Sequence, residues 1–397
     1  MLEKQIYSSL PLFARILSIA GKGFICYLFE NMKEMLAERI RRIKPSGVRK
    51  IFDLAKRVKD PIDLSLGEPD FDVPEEIKEE AIAWIRKGFN KYTLSAGIPE
   101  LREKVREHLR KKGIIFEEVM LTAGVTGGLL LCCLGLIDEG DEVLIPDPYF
   151  VMYEYQVMLA GGVPRYIDTY PDFRLREEKI REVLTPRTKA IIINSPSNPT
   201  GTVYSREELE MVAKIARERD LLVISDDIYD RFVYDAPVAP SLGQIYEKTI
   251  TLGGFSKSWA MTGWRLGYLA GPREIVENLI TLQQYSFTCP PSFVQKAALL
   301  ALDYDTTSMI EEYRRRRDLI YEGLRGKYEV VKPQGAFFIF PKAPDGKGDD
   351  LVQRAITEGL FMVPGKVFSQ RSTHFRICFA APSEKLERAI EILERLA

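Results

Sequence analysis

One lysine in the sequence lies among residue types that a surface lysine does not need. Residues 253–271 read GGFSKSWAMTGWRLGYLAG, so Lys257 has glycines, small hydroxyl residues and tryptophans around it, and Arg265 follows eight positions later. An amine that attacks a carbonyl must be unprotonated, and a desolvated pocket lowers the pKa of a lysine enough to permit this. We therefore interpret Lys257 as a candidate for imine-forming chemistry.

Polar side chains follow two other apolar stretches. The run SPSNPTG, which contains Asn198, comes after AIII, and the run SDDIYD, which contains Asp226 and Tyr229, comes after LLVI. Ligands in open α/β sheets bind beyond the carboxyl ends of the strands. These three side chains are candidates for one binding site, although an ordinary turn or helix cap uses the same residue types.

Two segments could bind anions. Arg376 lies inside the apolar run FRICFA, where an unpaired guanidinium is costly to bury, so we expect either an anionic ligand or a structural salt bridge there. Residues 121–131, LTAGVTGGLLL, place glycines around a turn that opens a helix, and free amides at such a turn bind phosphate. A glycine-rich turn is a weak signal by itself.

The elements that must position these residues alternate between extended and helical patterns. Strands are predicted at 143–146, 189–193, 221–225, 248–252 and 265–270, and helices at 127–136, 150–160, 205–219 and 272–284. Short strands around 328–340 and 374–379 and a helix at 383–396 follow a long charged helix that begins after residue 305. Continuous apolar strands indicate a sheet covered on both faces. We predict an α/β fold: a large domain with a mostly parallel, doubly wound sheet and a smaller α+β domain.

Composition excludes several classes of function. The 56 Lys and Arg against 57 Asp and Glu leave a net charge of −1, so no basic field attracts nucleic acid. Two histidines and five cysteines without a Cys-x-x-Cys pair do not suit a metal site or a histidine-based hydrolase, and they favour reduced thiols in the cytoplasm. Arg15 and Lys22 interrupt the apolar N-terminal stretch, so we expect no membrane anchor.

Taken together, the motifs resemble the pyridoxal-phosphate-dependent aminotransferases of fold type I, in the class I/II or aspartate/aromatic branch. The resemblance covers roughly residues 40–397 and includes, in the order of the family, LSLGEPDF (64–71), NKYTLSAGIPELR (90–102), PDPYF (146–150), SPSNPTG, SDDIYD, FSKSWAMTGWRLGY, PQGAFFIFP (333–341) and FRICFA. It implies that 73–305 form a large cofactor-binding domain and that 32–72 and 306–397 form the small domain. Residues 1–31 are then an N-terminal extension.

The resemblance implies pyridoxal 5'-phosphate as the cofactor and assigns roles around its ring. Lys257 would bind the cofactor covalently and carry a proton at the α-carbon of the substrate. Asp226 would pair with the ring nitrogen, while Tyr229 and Asn198 would hydrogen-bond the ring oxygen, and Tyr149 would stack on the ring.

The resemblance also implies a phosphate site and a substrate site. Arg376 would bind the α-carboxylate, with Asn198 near it and the backbone of Gly67 beside it. The groups expected at the phosphate are those of Val125, Thr126, Ser256 and Arg265, together with Tyr92 reaching across from a second subunit. The last assignment implies a homodimer with shared active sites.

The expected activity is transfer of an amino group from aspartate to 2-oxoglutarate by a ping-pong mechanism. The alternatives are an aromatic, alanine or broad-range aminotransferase, and a cysteine-conjugate β-lyase that uses the same cofactor. A non-enzymatic regulator is disfavoured, because the thirty residues before the motifs are too few for a DNA-binding module. A dicarboxylic substrate needs a second cation; Gln284 and Thr126 stand at the two positions where relatives carry one, which leaves Lys366 as the candidate.

Overall fold

A seven-stranded sheet carries the residues that the motifs single out. The structure is a computed structural model, and it describes residues 35–236 and 238–397. Its strands are β1 Ile62–Asp63, β2 Glu118–Thr122, β3 Glu142–Asp147, β4 Val163–Asp168, β5 Thr188–Asn194, β6 Leu222–Asp226, β7 Thr249–Gly254, β8 Gly267–Gly271, β9 Phe338–Ile339, β10 Leu360–Phe361, β11 Val363–Pro364 and β12 Phe375–Cys378. Its helices are α1 Glu38–Arg41, α2 Gly47–Ala55, α3 Glu75–Arg86, α4 Pro99–Lys111, α5 Gly124–Leu136, α6 Met152–Leu159, α7 Glu177–Val183, α8 Arg206–Arg219, α9 Arg273–Gln284, α10 Ser292–Ala301, α11 Thr307–Leu324, α12 Gly348–Thr357 and α13 Ser383–Leu396.

The large sheet has the order β2-β8-β7-β6-β5-β3-β4. Its strands are parallel except β8, which runs antiparallel to both β2 and β7. Successive side chains of β5 point to opposite faces: Ala190 and Ile192 pack in one apolar cluster, and Ile191 and Ile193 pack in another that contains residues of α8. Both faces are therefore covered, and the predicted α/β fold with a mostly parallel sheet is confirmed.

The five predicted strands of this sheet are present within two residues of their expected ends, but β2 and β4 were not predicted. β4 is an edge strand in which exposed and partly exposed residues alternate, so it lacks the apolar run that marks the central strands. Over the expected strands at 328–340 the structure contains β9 and isolated bridges at Glu329 and Gly335; Pro333, between the two bridges, cannot donate to a ladder.

Two small sheets lie outside the large one. β1 pairs in parallel with β10, and β11, β12 and β9 form an antiparallel sheet in which Arg376 of β12 is opposite Val363. One apolar cluster joins β1, β9, β10 and β12 to α11, α12 and α13. They belong to the segments expected to form the small domain, whose boundaries at 72/73 and 305/306 stay a prediction.

By internal contacts the chain divides into Met1–Lys44 and Pro45–Ala397. The described part of the first unit contains α1, and every other helix and strand named above lies in the second. The predicted extension, 1–31, lies outside the described residues. No helix in the described ranges is long and apolar enough to cross a membrane.

Candidate active site

A cavity of about 360 Å³ opens beyond the carboxyl ends of β5, β6 and β7. It is the place where ligands bind in open α/β sheets. Ten of the twelve residues assigned to the cofactor and the α-carboxylate line it, namely Gly67, Val125, Thr126, Asn198, Asp226, Tyr229, Ser256, Lys257, Arg265 and Arg376. The other two, Tyr92 and Tyr149, do not.

Asn194, which the sequence motifs did not single out, joins two of these elements. It ends β5 and lies opposite Asp226, the last residue of β6. Its amide Nδ2 donates to the Asp226 carbonyl at 2.8 Å, and its Oδ1 accepts from the Asn198 backbone N–H at 2.9 Å. This buried side chain therefore sets the start of the SPSNPTG turn relative to the end of the neighbouring strand.

Lys257 lies three residues after β7, and its amine faces the cavity. Its Nζ donates to the Gly67 carbonyl at 2.7 Å and lies 6.0 Å from the centre of the Tyr229 ring. Burial lowers the pKa of Lys257 to about 8, and the nearby positive charges of Arg265 and Arg376 act in the same direction. A larger share of this amine is thus neutral near pH 7 than of an ordinary lysine, as carbonyl attack requires.

Asp226 is a buried carboxylate with no cation paired to it in the described structure. Tyr153 donates to its Oδ2 at 2.7 Å, and the Ile228 N–H donates to its Oδ1 at 3.2 Å. Burial raises the pKa of Asp226 to about 6, while the hydrogen bond from Tyr153 opposes that rise. The sequence analysis did not identify Tyr153, because it is one of several tyrosines after PDPYF. Its position near the start of α6 brings its hydroxyl to Asp226 at the end of β6.

Arg376 is 1% exposed and has no carboxylate partner in the described residues. Its Nη1 donates to Asn198 Oδ1 at 3.0 Å, its Nη2 donates to the Ser65 carbonyl, and its Nε has no partner. The guanidinium carbon lies 4.6 Å from the ring centre of Phe338 and 4.4 Å from that of Phe368. A buried guanidinium that contacts two aromatic rings and has no carboxylate partner is suited to a planar anion such as a carboxylate.

Gly67 allows this arrangement because no side chain fits at its position. A Cβ there would lie 2.8 Å from Cζ of Phe338, the ring that stacks on Arg376. Tyr229 packs edge-on against Phe337 and Phe338. Burial raises the pKa of Tyr229 far above its ordinary range, so its phenol stays protonated and can donate a hydrogen bond.

The glycine turn before α5 suits an anion with several oxygens. α5 begins at Gly124, which has φ +71°, and no side chain caps its first turn. Arg265 lies against this turn, since a Cβ on Gly124 would be 2.6 Å from Nη2 of Arg265. The start of the helix, with Val125 and Thr126, thus faces the same space as a guanidinium, and both favour phosphate.

The structure corrects the expected position of Tyr149. Its ring stacks on Tyr166 with 5.2 Å between centres, and its hydroxyl donates to Glu154 and accepts from Gln370, each at 2.8 Å. The next residue, Phe150, lines the cavity instead. The motif PDPYF offers two adjacent aromatic residues, and only the direction of the chain after β3 decides which one faces the site.

Two further expectations lie away from the cavity. Tyr92 is 86% exposed, and its proposed role in the site of a second subunit stays a prediction. Lys366 is exposed in a short 3-10 turn after β11 and does not line the cavity. Its suggested role at a second substrate carboxylate gains no support from the cavity and stays a prediction.

Comparison with known proteins places this geometry in a family. The family profile described as "Aminotransferase class I and II" matches residues 59–393. The chain is 41% identical over 380 residues to aromatic-amino-acid aminotransferase 2 of Thermococcus litoralis, covering 91% of this chain and 98% of that one. It is 41% identical over 383 residues to the aspartate aminotransferase of Pyrococcus abyssi, with the same coverage. The solved aspartate aminotransferase of Thermus thermophilus with maleate superimposes with a TM-score of 0.85 at 36% identity, over 91% of this chain and 99% of that one.

Proposed function

The chain belongs to the class I and II aminotransferases, which depend on pyridoxal phosphate, and we propose that it transfers the amino group of aspartate to 2-oxoglutarate. The observation that carries the proposal is the single cavity that joins Lys257, Asp226 and Arg376. Lys257 can attack a carbonyl, Asp226 can pair with a protonated ring nitrogen, and Arg376 can bind a carboxylate. Aspartate is proposed as the donor because relatives at about 40% identity over most of the chain include aspartate aminotransferases.

The residues present fit the cofactor. When bound, pyridoxal phosphate supplies an electron sink that makes an α-proton of the substrate removable. Asp226 is a buried carboxylate that lacks a cationic partner in the described structure, and a protonated ring nitrogen would supply one. The first turn of α5 and Arg265 would hold the phosphate, and Phe150 would pack against the ring in place of Tyr149.

Lys257 is proposed to move the proton at the α-carbon of the substrate. A general base works best when its pKa is close to the working pH, and burial brings the pKa of Lys257 to about 8. The Gly67 carbonyl accepts from the same amine at 2.7 Å, so it orients the lysine within the cavity.

Arg376 is proposed to bind the α-carboxylate that every amino acid and oxo-acid substrate shares. Its guanidinium is confined by contacts with Phe338 and Phe368 and has no carboxylate partner of its own in the described residues, so a substrate carboxylate would supply one. Asn198 accepts from Nη1 and keeps that side of the guanidinium occupied, so the substrate meets the remaining donors.

An aromatic donor is the second candidate, because one relative at 41% identity is named an aromatic-amino-acid aminotransferase. A panel of aspartate, phenylalanine, tyrosine and alanine against 2-oxoglutarate, with glutamate measured as the product, separates the two. We expect the highest kcat/KM with aspartate; a higher value with the aromatic donors would replace the proposal. Incubation without 2-oxoglutarate tests for β-lyase activity, which would release pyruvate from a cysteine conjugate.

The homodimer also stays a proposal. Exposed apolar side chains support it, since Tyr92 and Tyr285 are each 86% exposed and Leu94 is 61% exposed. They lie on neighbouring segments, because Gln283 donates to the Ser95 carbonyl. Sedimentation equilibrium should give twice the chain mass, and the monomer mass would refute the dimer.

A cytoplasmic location remains a prediction, supported by the unpaired Cys132, Cys133, Cys289 and Cys378.

A further inference from the structure

The described residues that line the cavity carry more positive than negative side chains. Four are cationic, Arg49, Lys257, Arg265 and Arg376, whereas Asp226 is the single carboxylate among them. The proposed function gives three of the cations a partner or a role: Lys257 acts at the carbonyl, Arg265 faces the phosphate and Arg376 binds the α-carboxylate. Arg49 is left without one.

Arg49 is held in place by the helix that carries it. Ile51 and Ala55, on the buried face of α2, pack against Phe361, and Val48 packs in the cluster that contains Val363. Val363 lies opposite Arg376 in the pairing of β11 with β12. The strand pair that supports Arg376 therefore also supports the helix that brings Arg49 to the cavity.

The side chain of Arg49 has no anionic partner in the described part of the chain. Its guanidinium carbon lies 5.7 Å from the ring centre of Phe52, one turn along the helix, and no carboxylate lies within ion-pair distance. The residue is exposed at the mouth of the cavity. Such a guanidinium can turn toward an anion in the cavity without first breaking an ion pair.

We propose that Arg49 binds the side-chain carboxylate of dicarboxylic substrates, an inference that rests on the proposed aminotransferase function. The shared ligand chemistry is a four- or five-carbon chain with a carboxylate at each end: Arg376 takes one end and Arg49 the other. Lys366 does not line the cavity, and Gln284 neither lines it nor carries a charge. A monocarboxylic aromatic substrate leaves Arg49 in water at little cost, so Arg49 selects dicarboxylates without excluding aromatic donors.

The test compares Arg49→Met and Arg49→Lys with Lys50→Met, all as holoenzymes. Lys50 is the adjacent exposed cation on α2 and does not line the cavity. Two probes are titrated calorimetrically: succinate, with a carboxylate at each end, and 3-phenylpropanoate, with one. The kcat/KM values for aspartate and phenylalanine are measured in parallel.

Arg49→Met should weaken succinate binding about tenfold or more, the loss expected for a charged hydrogen-bonded pair, and change 3-phenylpropanoate binding by less than about twofold. Arg49→Lys should retain part of the succinate affinity, and Lys50→Met should behave as the wild type. Equal losses with both probes, or no loss with either, would overturn the assignment. Wild-type enzyme that binds succinate but does not transaminate aspartate would refute the proposed donor separately, because the succinate titrations still decide the role of Arg49.

Discussion

Replacing Tyr153 with phenylalanine removes one of two hydrogen bonds from the carboxylate proposed to meet the ring nitrogen. The Tyr153 hydroxyl lies 2.7 Å from Oδ2 of Asp226, both side chains are buried, and the pKa of Asp226 is already raised to about 6 by burial. A hydrogen bond to a charged group contributes about 1.5–3 kcal/mol, so its loss should raise the pKa of Asp226 by roughly one to two units.

The consequence is a cofactor affinity that depends on pH in a defined direction. With a rise of about 1.5 units, the ionised fraction of Asp226 at pH 7 falls from about nine-tenths to about one quarter. The affinity of Tyr153→Phe for pyridoxal phosphate, relative to wild type, should therefore fall about fourfold at pH 7 and about fifteenfold at pH 6, and recover near pH 9. Burial raises the pKa of the Tyr153 phenol well above its ordinary value, so the removed group does not ionise between pH 6 and 9 and the ratio isolates Asp226.

The assay is titration of the cofactor-free protein with pyridoxal phosphate, followed by absorbance at the three pH values. Tyr204→Phe is the matched control, since Tyr204 is 3% exposed, lines the same small cavity beneath the site as Tyr153 and bonds no carboxylate through its hydroxyl. If the affinity of Tyr153→Phe for pyridoxal phosphate, relative to wild type, is the same at every pH, the reasoning is refuted and Tyr153 only contributes packing.

Arg376→Leu should lower kcat/KM for aspartate and phenylalanine alike, by about a hundredfold or more, because it removes a buried partner of a carboxylate that both substrates carry; steady-state kinetics that spare either donor would contradict this role. Burial lowers the pKa of His374 from 6.5 to about 4, so the unfolded chain binds the proton more tightly and the free energy of unfolding should fall as the pH drops from 6.5 toward 4. In urea titrations, the free energy of unfolding of His374→Gln should fall less over that pH range than that of the wild type. Parallel pH dependences for the two proteins would contradict this role of His374.

The sequence predicted strands and site residues best where a residue type in its local pattern has few structural explanations. Continuous apolar runs predicted five central strands, and polar residues directly after them placed Asn198 and Asp226 at the strand ends where the structure has them. Arg376 could be identified because a guanidinium inside an apolar strand needs an explanation. These inferences depend on local pattern and elementary electrostatics.

The sequence could not reveal contacts that depend on how distant elements pack. Tyr153 and Asn194 matter because the start of α6 and the end of β5 bring them next to Asp226, which is not visible in local spacing. The choice between Tyr149 and Phe150 turns on the direction of one loop. In the sequence, Arg49 is one cation in a basic stretch. Only the packing of α2 against the rest of the chain shows that Arg49 lines the cavity.

The most direct test of the account is to locate the covalent attachment of the cofactor. The holoenzyme is reduced with borohydride, digested and analysed by mass spectrometry, with Lys257→Arg and Lys366→Arg treated in the same way. We expect the mass of the reduced cofactor on the peptide that contains Lys257 in wild type and in Lys366→Arg, and on no peptide of Lys257→Arg. A cofactor adduct on another lysine of the wild type, or one that persists in Lys257→Arg, would contradict the central claim.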